Sequence, residues 1–221
     1  MVNVIFLCQK VEISLDFLKK ILADKKTLVN MEAILNKLVQ PNNELIQQGT
    51  AELKEAFKKP SAIPELCSIL TSSSSAQIRQ YSALLLRKKL GKSKCWRVIN
   101  QSDRITIKSG LLSALTNEPE KTVQHAIVQL ISVIAKHDLP NNGWPELMPF
   151  LDNCFQSEAP GSKSIAMFMA SALCESSSEL MKSVYLAGLC KMFAKSLCNS
   201  QDLEPGFYAT LAMTRLVPVI G

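Results

Sequence analysis

The stretch Arg87-Lys88-Lys89-Leu90-Gly91-Lys92-Ser93-Lys94-Cys95-Trp96-Arg97 places six cationic side chains within eleven residues. Such a cluster can speed the encounter with an acidic protein. It can hold a nucleic-acid strand with Trp96 as a stacking platform, although a lone aromatic near a loop makes a poor one. It can be a nuclear localisation signal read by another receptor. It can also be a solvated helix end, where cations favour the C-terminal dipole. The overall charge is +6, mild for a nucleic-acid binder, but it is unevenly placed. Residues 1–100 hold 16 Lys and Arg against 8 Asp and Glu, whereas residues 101–221 hold 9 against 11.

Residues capable of catalysis or metal binding do not form a constellation. His125 sits beside Ala126 and Ile127 in an apolar run, and His137 lies near a helix end; neither neighbours a nucleophile motif. There is no GxGxxG, no GxxxxGK[ST] and no HExxH, and the carboxylates are dispersed. These features predict a protein that is not an enzyme and has neither cofactor nor metal. The seven cysteines are odd in number, lack a CxxC pair and lie in apolar runs such as Glu65-Leu66-Cys67-Ser68-Ile69-Leu70. They are expected to be reduced and mostly buried, as in a cytosolic or nuclear protein. Ser72 to Ser75, following Thr71, reads as a flexible turn with Ser75 as an N-cap. Trp144, Met167 and Met169 read as core filler.

The elements that must carry these residues are helical. Of 221 residues, 47% are hydrophobic, and the apolar positions recur at helical spacing. Ile34, Leu35, Leu38 and Val39 form one stripe. Leu45, Ile46, Leu53 and Phe57 form a second, with Gly49 and Ala51 as small contacts, and Ile78, Tyr81, Leu85 and Leu86 form a third. Further helices read at about 103–117, 120–137, 144–156, 162–175, 178–198 and 205–220, with Pro41, Pro60, Pro119, Pro140, Pro160 and Pro205 between them. No run is long and apolar enough for a membrane span, and no secretory signal is visible.

An internal repeat relates the helices. Ile63-Pro64-Glu65-Leu66-Cys67-Ser68-Ile69-Leu70 aligns without gaps on Trp144-Pro145-Glu146-Leu147-Met148-Pro149-Phe150-Leu151, 81 residues on, which is two units of about 40. In a separate alignment, with an offset of 45, Ile78 falls on Val123 and Leu85 on Leu130. The fold class expected is all-α, a right-handed superhelical solenoid of HEAT-type antiparallel helix pairs at about 31–59, 61–91, 103–137, 143–177 and 178–221. Residues 1–30 stand apart as an N-terminal extension or capping helix, with Leu15, Leu18, Ile21 and Leu22 on one face. The apolar finish at Val217-Pro218-Val219-Ile220 predicts either more chain beyond it or a partner resting on it.

The segment from Pro64-Glu65-Leu66 through Ile69-Leu70 to Ile78-Arg79-Gln80-Tyr81-Ser82-Ala83, Arg87-Lys88 and Trp96 resembles the importin-beta N-terminal domain. The helix from Glu44-Leu45-Ile46 to Leu53, and Trp144-Pro145-Glu146-Leu147 further on, extend the likeness over about 31–175. The chain is most similar to the importin-four branch, leaving 176–221 as a further HEAT pair. Ser82 departs from the usual Ala, and Gln47 and Gln48 stand where basic residues are common. The resemblance implies a karyopherin that shuttles between cytoplasm and nucleus. It would bind Ran in its GTP form and, through the longer chain, protein cargo and nucleoporins, with no membrane partner and no nucleic acid. The second helices of the first three pairs, about 43–59, 76–90 and 120–136, would then face the GTPase. On them the resemblance points to Arg79, Gln80 and Lys88, with Arg87 and Gln124 beside them. For Arg79 an internal brace is the competing reading. A HEAT scaffold without GTPase binding, and an RNA-binding solenoid, are the alternatives for the whole.

Overall fold

The computed structural model describes residues 25–198 and 202–220. Among these residues every regular element is helical and none is a strand. The principal helices are α1 (Lys25–Leu38), α2 (Asn43–Ala56), α3 (Ala62–Ser72), α4 (Ala76–Leu90), α5 (Ser93–Val98), α6 (Gln101–Asn117), α7 (Lys121–Asp138), α8 (Leu147–Gln156), α9 (Ser162–Ser176), α10 (Leu186–Leu197) and α11 (Leu203–Ile220). Side-chain caps start several of them. The Asn42 carboxamide accepts from the Glu44 and Leu45 amides at 2.9 and 3.2 Å, and Asn100 accepts from the Asp103 amide at 2.9 Å.

The helix boundaries depart from the sequence reading in a few places. Helix α1 begins at Lys25, so residues 25–30 belong to the first repeat helix instead of standing apart from it. The amphipathic segment around Leu15–Leu22 lies outside the described residues. The short helix α5, inside the basic stretch, has too few turns to show a period. A π-helical turn, Met181–Tyr185, precedes α10 where the sequence reads one continuous helix. Pro205 sits in the first turn of α11, not before it, where its missing amide has no partner to lose.

The chain divides into two compact units. The first holds residues up to 89 together with 97–123. Its core is built from Met31, Ile34 and Leu35 of α1, Leu66, Ile69 and Leu70 of α3, Ile78 and Leu86 of α4, and Ile107, Leu111 and Leu115 of α6. Helix α1 packs on α2 and α3, and α3 packs on α6. The close approach of α2 to α1 depends on Gly49: a Cβ there would lie 3.1 Å from both Leu38 Cγ and Lys37 Cβ. Ala51, in contrast, is exposed.

The second unit holds residues 90–96 and those from 124 onward. Ile127, Val128, Leu130, Ile131 and Ile134 of α7, Leu147 and Leu151 of α8, and Met167, Met169 and Leu173 of α9 are buried. Helix α9 packs on α8 and α11, with Ala170, Ala209 and Ala212 fully buried. Trp144 is 1% exposed, so it and the two methionines are the core residues their surroundings predict. The 81-residue repeat survives in the burial pattern: Leu66 and Leu147 are both 0% exposed, and Leu70 and Leu151 are 2% and 0% exposed.

Candidate functional site

Helix α4 carries four of the five residues singled out above, and its geometry sorts them into two groups. Gln77, Gln80, Leu84, Arg87 and Lys88 follow one another at i, i+3, i+7, i+10 and i+11, which is one stripe of a 3.6-residue helix. Gln77, Leu84, Arg87 and Lys88 are exposed and Gln80 is half-buried. The stripe is amphipathic along its length: amides at the N-terminal end, an exposed leucine at its middle, and cations in the last turn.

Arg79 points elsewhere. Its Nε and one terminal nitrogen donate to Glu118 Oε2 and Oε1 at 2.8 and 2.7 Å, a bidentate pair. The other terminal nitrogen donates to the carbonyls of Ser73 and Ser74 at 2.9 and 3.3 Å. The two side chains are only 13% and 5% exposed. Arg79 therefore ties the α3–α4 turn to the end of α6, which is the internal brace. The hydrogen bonds that Arg79 donates to Glu118 raise the guanidinium pKa above its ordinary value. Desolvation alone would push the Glu118 carboxyl up, but hydrogen bonds from Arg79 and the Glu120 amide, with the Arg79 charge, hold it below its usual range.

The same turn is pinned, not flexible. Ser73 is buried and donates to Glu32 Oε1 at 2.6 Å, and Ser75 caps α4 by accepting from the Ile78 amide at 3.4 Å. An apolar groove of about 400 Å³ runs beside the brace, between Cys67 and Leu70 of α3 and Ile107, Gly110 and Ala114 of α6.

Gln124 is half-buried on α7 and belongs to the second unit. Trp96 also lies in the second unit. It is 1% exposed and its indole N–H donates to Asp138 Oδ1 at 2.6 Å, so it offers no face for a base to stack on. His137 Nε2 lies 3.2 Å from the Gly91 carbonyl. His125 stacks on Phe168, with ring centroids 4.2 Å apart, and lies 3.4 Å from the Tyr208 hydroxyl. Both histidines are thus engaged within their unit. Among the described residues no group of three or more His, Cys, Asp or Glu side chains is placed to hold a metal ion, and no helix is long and apolar enough to cross a membrane.

Sequence reasoning missed Glu118 and Asp138, the two acceptors that organise this region. Neither carries a local signal: their partners lie 39 and 42 residues away.

The cysteines are not mostly buried, although their apolar surroundings in the sequence suggested it: only one of the six described is. Cys174 is buried, Cys67, Cys95 and Cys154 are half-buried, and Cys190 and Cys198 are exposed. All six are free thiols, and Cys8 lies outside the described residues. Burial pushes the Cys67 and Cys174 thiols up to about 12 and Cys154 up to about 11. With an ordinary thiol at ~8.5, their thiolate fraction at neutral pH falls by roughly 300-fold to 3,000-fold. In native protein a maleimide is expected to label Cys190 and Cys198 rapidly and these three at least ~100-fold more slowly. Mass-spectrometric mapping of the labelled peptides over time is the check, and equal rates would contradict the burial.

Comparison with known proteins supplies the family. The model of the importin-beta N-terminal domain matches residues 50–117, and the model of IPO5-like TPR repeats matches 119–219. Importin-4 of Mus musculus is 30% identical over 67% of this chain, and importin-4 of Homo sapiens is 34% identical over 53%. A probable importin subunit beta-4 of Schizosaccharomyces pombe is 27% identical over 69%. The chain spans 14%, 11% and 14% of the length of these relatives. A solved structure in which Kap95p binding brings the switch loops of RanGDP to the GTP-bound conformation matches 87% of this chain and 23% of its own, with a TM-score of 0.73 at 20% identity. That likeness shows the fold to be a HEAT-type α-solenoid. Two adjoining family models and a consistent set of relatives lead to one conclusion: the chain belongs to the importin-beta family and is most like its importin-4 branch.

Proposed function

We propose that this chain is part of a nuclear transport receptor that binds the small GTPase Ran in its GTP form and shuttles between cytoplasm and nucleus. It is a binding protein in this reading, not an enzyme. Protein cargo and nucleoporins are partners of the longer receptor. The observation that carries the reading is the match of the importin-beta N-terminal domain over residues 50–117, which contains all of α4 and its exposed stripe. Gln80, Arg87 and Lys88 are the proposed contacts on that stripe, with Leu84 between them. Arg79 acts through the brace that positions α4, and Gln124 is a separate contact on α7. Cations in the last turn of α4 steer a partner with an acidic face, mainly by raising the association rate.

Binding to Ran loaded with GTP, and little or none to Ran loaded with GDP, is the expected result of a pull-down with the full-length receptor. Reversing charge with Arg87→Glu and Lys88→Glu together should weaken that binding by roughly 1–3 kcal/mol if the pair lies near the interface centre. Melting temperature should hardly change, because exposed helix-end charges contribute little to folding. Unchanged affinity in the double variant removes these residues from the site. Absence of any GTP dependence removes the transport reading and leaves a HEAT scaffold of another kind.

A further inference from the structure

We propose that the second unit carries a site for the phosphate of a phosphorylated side chain of a partner protein, formed by Lys163, Lys195, Gln156 and the hydroxyl of Ser196. All four residues lie in that unit, so the site is independent of the reading of α4 as a GTPase-facing helix.

Four helix ends meet around a cavity of about 210 Å³. Phe155 and Gln156 come from the end of α8, Lys163 from the first turn of α9, Lys195 and Ser196 from the last turn of α10, and Pro205 from the first turn of α11. Helix α9 packs on α8 and α11, and α10 packs on α11, which holds the four ends together.

Ser196 is the observation that points to a ligand. It is 4% exposed, lines this cavity, and its hydroxyl has no hydrogen-bond partner among the described residues. A buried hydroxyl left unpaired costs stability, so its presence calls for a partner that is not part of the chain. The charges beside it say which kind. Lys195 is exposed and in no ion pair among the described residues. Lys163 has only Glu158, at 3.5 Å, and that carboxylate is 91% exposed. So loose a pair contributes little and yields readily to a stronger anion. Helix α9 starts at Gly161 with no side chain capping it, so the field at the Lys163 end is also positive. Two ammonium groups, a hydroxyl and the Gln156 carboxamide offer the donors that a phosphate monoester accepts.

The size and walls of the cavity select the bearer of that phosphate. At about 210 Å³ it is smaller than the pockets that enclose whole cofactors, and it takes one group of a larger partner. The aromatic residue lining it, Phe155, is 6% exposed and offers no face for a base to stack on. A phosphorylated serine or threonine, with its dianionic head on a short stem, fits these limits.

The test is titration of the chain with N-acetyl-phosphoserine amide, followed by amide chemical shifts. Inorganic phosphate, N-acetyl-serine amide, dimethyl phosphate and single-stranded RNA are titrated alongside it. Saturable shifts at Gln156, Lys163, Lys195 and Ser196 are expected with the phosphoserine compound, with the diester at least about tenfold weaker and the unphosphorylated compound silent. Affinity should rise between pH 5 and pH 7.5, as the second phosphate proton leaves near pH ~6. Lys163→Gln and Lys195→Gln should each weaken binding about fivefold or more. Ser196→Ala should weaken it about threefold or more while melting at the same or a higher temperature, because it removes an unpaired buried hydroxyl. That opposite movement of affinity and stability is one that a purely structural serine does not give. Unchanged affinity in Ser196→Ala overturns the site and leaves only surface charge. Inorganic phosphate binding as tightly as the phosphoserine compound overturns the side-chain reading, and tighter binding of RNA at the same residues overturns it in favour of a nucleic acid. No shifts with any phosphate overturns it outright, and the GTPase reading stands or falls separately.

Discussion

Replacing Trp96 with alanine is expected to destabilise the second unit by about 3–5 kcal/mol, the range for deleting a buried aromatic side chain. The indole is 1% exposed, and its N–H donates to Asp138 Oδ1 at 2.6 Å, at the end of α7. The loss therefore has an apolar part and a polar part. Trp96→Phe separates them: it keeps most of the apolar contact, removes the donor to a carboxylate, and should cost about 1–3 kcal/mol. The other tryptophan, Trp144, is buried in the same unit and reports its unfolding by fluorescence in both variants. Because the chain divides into two compact units, the transition followed by Trp144 is to be compared with far-ultraviolet circular dichroism before any two-state treatment. A shift of less than about 1 kcal/mol in Trp96→Ala would mean that Trp96 is far more exposed in solution than it is here. The basic stretch would then regain the stacking platform that its sequence suggests.

That stretch shows how much a sequence reveals and where it stops. The all-α class, the helix pairs and their repeat were legible because a stripe such as Ile34, Leu35 and Leu38 repeats with every turn, and because Leu66 and Leu147 recur 81 residues apart in equivalent buried places. The family was legible from segments that are contiguous in the chain, from Pro64-Glu65-Leu66 to Arg87-Lys88. What escaped was pairing over distance. Arg79 and Lys88 both read as cations on the same helix, yet Arg79 is held by Glu118, while Lys88 is exposed. No local pattern marks that difference, since the phase of a helix says which residues share a face but not what stands opposite that face. Trp96 is a parallel case. Its neighbours Lys94 and Arg97 are exposed, and only the six-residue helix α5, too short to show a period, turns the indole inward.

The Arg79–Glu118 brace carries the second large effect. Removing one member of a nearly buried, bidentate pair leaves the other charge without its main partner, and such losses run to roughly 2–4 kcal/mol at a site that keeps slight contact with solvent. Arg79→Ala and Glu118→Ala are each expected to fall in that range. The double variant should cost less than the sum of the two by about 1–3 kcal/mol, because neither charge is then left behind. Arg79→Lys should behave more like the alanine variant than its charge suggests, since an ammonium cannot make the two parallel bonds to Glu118 while also reaching the Ser73 carbonyl. Acidity offers an independent reading. The Glu118 pKa is lower in the folded chain than in the unfolded one, so its contribution is present above the ordinary carboxylate value of ~4.3 and is lost as pH falls through the depressed value. Stability measured by urea between pH 7 and pH 3 should therefore drop more steeply in the parent than in Glu118→Gln, which has no carboxylate to protonate at that position. Parallel slopes, or an Arg79→Ala variant that loses partner binding with unaltered stability, would mean that Arg79 serves the interface directly. The α3–α4 turn would then need another tie to the end of α6.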